Sequence, residues 1–260
     1  MKTKQKKSIR YRIASLVRMI GGVSRPKTAA VILAGGSGTR FGGERPKQLT
    51  LLCGIPVLVR SVLAFEASPY IDEIVIVSRK EDIDEIRELC ESYGVRKLLK
   101  IVPGGATRQK SSLCGVSAVS EKTEFVAIHD AARCLVTPDT IGHVAAEAYV
   151  YGGASAASQV YDTVKQIDSM GFLKKTIDRD SLVAAETPQI FRKKLYLAAA
   201  RVAEQNASTV TDDNSLLEQF GQAVKSVLSV GENFKITTKA DLIRAEAVIS
   251  AREGKGETKA

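Results

Sequence analysis

The chain has 260 residues, 44% of them hydrophobic, enough for one large α/β domain or two small ones whose core needs neither metal nor disulfide. No apolar run approaches the roughly 18 residues of a membrane span, which excludes a spanning helix. The net charge of +9 sits entirely in residues 1–27, which hold nine of the 38 basic residues and no acid; residues 28–260 balance at 29 against 29, and a nucleic-acid-binding reading loses its support.

Residues 1–27 read as a basic, disordered N-terminal tail of minor function, with Met19 as an alternative start. The six apolar residues Ala29–Ala34 read as the first buried strand. Gly35-Gly36-Ser37-Gly38-Thr39-Arg40 follows it, and then Pro46-Lys47-Gln48. Glycines there let backbone N–H groups cradle phosphates, and Arg40 and Lys47 add a fork-shaped and a point cation. A polyanion at the carboxyl end of a strand is the usual arrangement of open α/β sheets. A plain strand-to-helix turn would use the same glycines for positive φ. The spacing fits neither a P-loop, since no Ser or Thr follows Lys47, nor a dinucleotide fingerprint, since Phe41 stands where a third glycine is required. What remains resembles the signature loop of sugar-phosphate nucleotidyltransferases, and its Pro-Lys-Gln ending that of cytidylyltransferases.

Further along, Pro56–Phe65 reads as a helix and Ile74–Val77 as a buried strand. Ile83, Ile86, Leu89 and Cys90 mark an amphipathic helix. Leu98–Val102 is a strand ending at Pro103-Gly104-Gly105. The glycines and Ser111, near Arg108 at the start of a small-residue helix, form a candidate base pocket. Phe125–Ile128 is a buried strand ending at His129-Asp130-Ala131-Ala132-Arg133. Asp130 is the best candidate ligand for Mg²⁺, which is held by one carboxylate, waters and phosphate oxygens; an Asp130–Arg133 ion pair is the structural alternative. His129 reads as a loop support and His143 as structural. Thr137-Pro138-Asp139 caps a helix reaching Tyr149. This alternation predicts a Rossmann-like, mostly parallel sheet with helices on both faces.

From Ala154 to Leu182 the helical period disappears, and Asp168-Ser169-Met170-Gly171 marks a turn. The segment reads as a β-hairpin arm, about residues 158–184, whose apolar positions need a partner and so point to a dimer. Helices are expected at Phe191–Gln205, Asp212–Phe220 and Ala240–Ala251, and strands at Ala223–Ser229 and Phe234–Ile236, with Lys235 inside the latter. Thr211-Asp212-Asp213 is adequately explained as a helix cap with first-turn acids. One domain, 28–253, with a short C-terminal tail, 254–260, accounts for the rest. Cys53, Cys90, Cys114 and Cys134 lack metal spacing and read as reduced, mostly packed thiols of a cytoplasmic protein.

The motifs in order, together with Asp162–Lys165, Asp178-Arg179, Thr187-Pro188-Gln189 and Lys235-Ile236-Thr237, resemble the 2-C-methyl-D-erythritol 4-phosphate cytidylyltransferase family from about Ala29 to Ile249. The resemblance implies CTP and a polyol phosphate as substrates and Mg²⁺ on Asp130. Arg40, Lys47, Asp130 and Lys235 would be catalytic. Ala34, Gly35, Gly36, Gly38, Thr39, Gly104, Arg108, Ser111 and Ala131 would bind the nucleotide. Arg133, Thr163, Arg179, Thr187 and Thr211 would meet the second substrate, and the arm would join a homodimer. Tyr161, Cys134 and Asn214 depart from the residues usual at their positions. The sister ribitol-5-phosphate cytidylyltransferases share the glycine loop, but His129–Arg133 and Ile177-Asp178-Arg179 match the erythritol enzymes better.

A phosphate monoester is already anionic near neutral pH, since its second pKa is about 6. No general base is needed, which suits a chain with two histidines. A nicotinamide-dependent oxidoreductase is disfavoured by the broken glycine fingerprint, and a metal-dependent glycosyltransferase by Asp130-Ala131-Ala132, which lacks the D-x-D pair such a site would want. A non-catalytic nucleotide-binding module is disfavoured by Arg40, Lys47 and Asp130 together.

Overall fold

The computed structural model describes residues 25–36, 41, 46–206 and 210–257. Gly38, Thr39, Arg40 and most of the basic tail lie outside them.

The chain opens with β1 (Thr28–Leu33), a two-strand ribbon of β2 (Leu51–Leu52) and β3 (Ile55–Pro56), and α1 (Val57–Ala67). It continues through β4 (Glu73–Ser78), α2 (Ile83–Ser92), β5 (Leu98–Pro103), α3 (Arg108–Ala118), β6 (Phe125–Asp130) and α4 (Pro138–Tyr151). After β7 (Gly153–Gln159) come the arm strands β8 (Lys165–Ile167) and β9 (Leu173–Thr176), then β10 (Val183–Arg192). The remainder is α5 (Lys193–Gln205), α6 (Asp213–Gln219), β11 (Lys225–Leu228) and α7 (Lys239–Glu257).

Seven strands form one sheet in the order β11-β7-β10-β6-β1-β4-β5. β10 runs antiparallel to its neighbours β6 and β7; the other pairings are parallel. The Rossmann-like, mostly parallel expectation holds. Continuous apolar runs make the central strands because both faces are covered. Ala30 and Ile32 of β1, with Ile74 and Ile76 of β4, meet α1, α2 and α4. Ala29 and Val31, with Val75 and Val77, meet α3, α5 and α6. α3 is small-residue at Gly115 because it lies close on the sheet: a Cβ there would stand 2.7 Å from Val77 Cγ2 and closer still to Val31. A third cluster, with Leu52, Cys134, Leu135, Ile236 and Ile249, seats α7 beside the loop after β6. The end of the basic segment is tied down: Arg25 pairs with Asp72 at 2.7 Å and Lys27 with Glu73 at 3.1 Å.

Several boundaries move. Gly153–Gln159 belongs to the main sheet rather than the arm, and its Gly-Ala-Ser-Ala run is small because it is buried between β10 and β11. Phe191 is not helical; it lies near the end of β10, where the polar run at Glu186–Gln189 is also strand. Phe234–Ile236 is irregular, not a strand, though the Ile236 N–H donates to the Ala132 carbonyl at 2.8 Å. α7 continues to Glu257, past the expected domain end at 253. Cys90 and Cys134 are buried as expected, but Cys53 and Cys114 are exposed.

β8 and β9 make the arm, turning where expected: Asp168 Oδ1 accepts from the N–H groups of Met170 and Phe172, and Gly171 takes φ +88°. Met170, Phe172 and Leu173 are all about 70% exposed or more. At its root the β7–β10 register shifts between Ala185 and Gln189.

Candidate active site

The carboxyl ends of β1, β4 and β6 face the same way, so the loops after them gather at one sheet edge, the position where open α/β sheets take ligands. Asp130 is the last residue of β6 and only 9% exposed. Two cations from distant segments meet its carboxylate. Arg108, at the start of α3, reaches Oδ1 with Nη2 at 3.2 Å and Nε at 3.3 Å. Lys235 reaches Oδ2 with Nζ at 2.8 Å. Burial alone would raise this carboxyl, but Arg108 and Lys235 outweigh it and hold it well below the usual carboxylate range. The expected structural alternative, an Asp130–Arg133 pair, does not form. Arg133 instead donates to the Asn233 and Ala185 carbonyls and lies 3.8 Å from buried Glu186.

The glycine loop is anchored to the same edge. Ala34 N–H donates to Val77, and the Ala34 carbonyl accepts from Gln48 Nε2 at 2.6 Å. Gly35 runs beside Ser78 and Arg79. Lys47 donates to the Ile236 carbonyl at 2.9 Å, which brings the Pro-Lys-Gln segment beside Lys235. Ala131 donates to Leu33 and accepts from Ser61, locking β6 to β1 at the site. On the other side Gly104 N–H donates to the Ser78 carbonyl. Ser111 Oγ lies 3.1 Å from the Gly105 N–H and donates to the Thr107 carbonyl at 2.9 Å, so it braces the turn between β5 and α3.

Thr187 sits beneath Asp130. Its Oγ1 accepts the Asp130 N–H at 3.1 Å and lies 2.9 Å from His129 Nδ1. Full burial pushes the His129 imidazole down to about 3, so it stays neutral near neutral pH and acts as a support, as its position in the strand suggested. Thr211 is exposed beside Ser215, and His143 is an exposed residue of α4. Thr163 and Arg179 are exposed residues of the arm, and Arg179 donates to the Tyr161 carbonyl at 2.8 Å.

One residue of this cluster goes beyond its reading from sequence. Asp212 is the expected N-cap of α6, accepting from Ser215 N–H at 2.9 Å. Asp213, read only as a first-turn acid, is fully buried and takes the third nitrogen of Arg108, Nη1, at 2.6 Å. Tyr196 donates to its other oxygen at 2.9 Å. Gln189 Oε1 accepts the N–H groups of Asp213 and Asn214. Burial pulls the Asp213 carboxyl upward, although Arg108 pulls it down. The available signal was a second acid after the cap, directly before an Asn and an apolar pair that must face the core.

Among the described residues no group of three His, Cys, Asp or Glu side chains comes together. The edge therefore offers a divalent cation one hard carboxylate rather than a cage. That donor set fits Mg²⁺ carried mainly by phosphate oxygens and water. Also among the described residues, no helix is long and apolar enough to cross a membrane.

The family model described as IspD, 2-C-methyl-D-erythritol 4-phosphate cytidylyltransferase, matches residues 28–251. A protein of that name from Pelotomaculum thermopropionicum is 42% identical over 230 residues, 88% of this chain and 97% of its own. Another from Syntrophus aciditrophicus is 40% identical over 232 residues, 89% and 99%. The crystal structure of 4-diphosphocytidyl-2C-methyl-D-erythritol synthase from Anaerococcus prevotii superposes with a TM-score of 0.78 at 30% identity, covering 86% of this chain and 96% of that one.

Proposed function

The chain belongs to the 2-C-methyl-D-erythritol 4-phosphate cytidylyltransferase family, and from that premise we propose how its own residues divide the reaction. The enzyme transfers CMP from CTP to 2-C-methyl-D-erythritol 4-phosphate, giving 4-diphosphocytidyl-2-C-methyl-D-erythritol and pyrophosphate in isoprenoid biosynthesis. A phosphate oxygen of the polyol attacks the α-phosphorus, and the bond to the β-phosphate breaks.

Proton abstraction is not required, because the attacking phosphate is anionic above its second pKa of about 6. The neutral, buried His129 supports this division of labour. The difficulty is bringing two polyanions together, which calls for fixed cations and pre-set N–H donors. Lys47 donates to the carbonyl of Ile236, the residue after Lys235, and Lys235 itself donates to Asp130. Both lysines and Arg40 take the triphosphate and the charge that develops on the leaving pyrophosphate. Ala34, Gly35, Gly36, Gly38, Thr39 and Ala131 supply the phosphate cradle, with Arg108 on the nucleotide's phosphate side; Gly104 and Ser111 form the base side. Thr187 holds the Asp130 backbone in place while Arg133, by its bonds to Asn233 and Ala185, shapes the wall for the polyol phosphate, which Thr211 would also meet. Mg²⁺ would neutralise triphosphate charge and be held by Asp130.

The apolar exposure of Met170, Phe172 and Leu173 supports a homodimer through the arm, in which Thr163 and Arg179 serve the site of a second copy. Four free cysteines suit a reducing, cytoplasmic setting. The observation that carries the site assignment is the meeting of Arg108 and Lys235 on Asp130. The test is pyrophosphate release from CTP with methylerythritol phosphate or ribitol phosphate, for the wild type and Lys235→Met. Release should require the former substrate and fall about 100-fold in the variant. Equal turnover by Lys235→Met would refute the assignment.

A further inference from the structure

Arg108 spans two carboxylates of opposite character. Asp213 is sealed in, and its backbone is pinned by Gln189 and its side chain by Tyr196. Asp130 lies at the ligand edge and meets Arg108 at 3.2–3.3 Å, longer than the 2.6 Å bond to Asp213. A guanidinium has a planar fork, so one nitrogen can stay anchored while the opposite edge changes partner. Asp130, Asp213, Arg108 and Lys235 balance to zero net charge, and neither oxygen of Asp130 is without a cation.

We propose that Arg108 is an exchangeable stand-in for the divalent cation on Asp130, and that Asp213 is the positioning residue that anchors it. Without nucleotide, Arg108 and Lys235 satisfy Asp130, and the chain binds the bare metal weakly. When the metal arrives with the triphosphate, the Nε–Nη2 edge of Arg108 leaves Asp130 for a phosphate oxygen while Nη1 keeps its bond to Asp213. Buried anchoring holds the guanidinium within reach, so the exchange costs no rebuilding of the loop. This rests on Asp130 as the metal ligand. It adds that the ligand is guarded by a competitor from the same chain.

The test reads binding rather than turnover. Mn²⁺, as a spectroscopic stand-in for Mg²⁺, is titrated into nucleotide-free protein and followed by electron paramagnetic resonance. Arg108→Gln/Asp213→Asn removes one charge of each sign, so the site stays balanced while Asp130 Oδ1 is released. Mn²⁺ should bind about tenfold tighter than to wild type, a modest fraction of the interaction of two charges at this distance. Asp213→Asn alone leaves the site with an excess positive charge and should bind Mn²⁺ more weakly. Unchanged affinity in the double variant overturns the proposal. If the double variant does not fold, Arg108→Lys serves: it keeps a cation for Asp213 but cannot span both carboxylates, so the same tightening is expected and its absence is equally fatal. Asp130→Asn separates the two layers. Loss of Mn²⁺ binding there, with no gain in the Arg108 variants, sinks the guard alone; retained binding sinks Asp130 as the metal ligand.

Discussion

Replacing Asp130 by Asn keeps the size of the side chain and removes its charge. Its two ion pairs are at 3.2 and 2.8 Å, but Arg108 and Lys235 are 30% and 37% exposed, so solvent screens both. The about 3–5 kcal/mol for breaking a buried pair is therefore an upper bound. Discounted for that exposure, the loss in stability should be about 1–2 kcal/mol. Turnover should suffer more: losing one fixed electrostatic group at a reacting phosphorus costs about 3 kcal/mol, or about 100-fold in kcat. The acid limb gives an independent check. Asp130 is depressed in the folded chain, whereas an unfolded Asp titrates near about 3.9. Its contribution is therefore present above that pH and is lost as pH falls toward the lower folded value. The stability gap between wild type and variant should be flat from neutral pH to about 5 and narrow only below about 4. Pyrophosphate release and urea melts measure the two effects. Near-normal turnover at saturating Mg²⁺ would refute the electrostatic reasoning, and a gap that closes between pH 7 and 5 would refute the ion-pair assignment.

Gly115→Ala should destabilise the fold by about 1–3 kcal/mol, since the new methyl meets Val31 and Val77; an unchanged melting curve would mean that α3 does not lie so close to the sheet. Deleting residues 1–24 should leave kcat/KM within about threefold, under about 1 kcal/mol, in steady-state assays, and a large loss in a folded truncation would bring the tail into the site. Asp130→Asn and Arg179→Ala should each be nearly inactive alone. Co-expressed, they should recover roughly a quarter of wild-type activity, because half the dimers are mixed and each of those has one intact site; no recovery despite mixed dimers by mass spectrometry would place Arg179 in its own chain's site.

Strands with unbroken apolar runs were legible because burial on both faces leaves no other composition: β1, β4 and β6 lie where their sequences predict. β7 was not, because Gly-Ala-Ser-Ala carries little hydrophobic signal, and its burial comes from neighbours distant in sequence. β10 was hidden by Glu186, Thr187 and Gln189, polar residues whose partners are Ser229, Asn233, His129 and the start of α6. At the site, Asp130 and Lys235 were visible as charges at places a core would avoid. Asp213 was not, because an acid in a first helical turn already has a sufficient local explanation. Its partner lies 105 residues away, at Arg108.

The register shift at the root of the arm divides β10 into two sections with separate duties. Val183–Ala185 follows β7 outward to the hairpin, while Gln189–Arg192 is locked to β6 beneath Asp130. In an unbroken strand, a one-residue insertion on the arm side would turn every later side chain to the opposite face. Here the irregular residues between the two sections can take up such a slip. The hairpin can therefore lengthen, shorten or change its apolar tip during evolution without altering which way Gln189 points, so the surface that meets a partner and the floor that carries the chemistry are free to diverge at different rates.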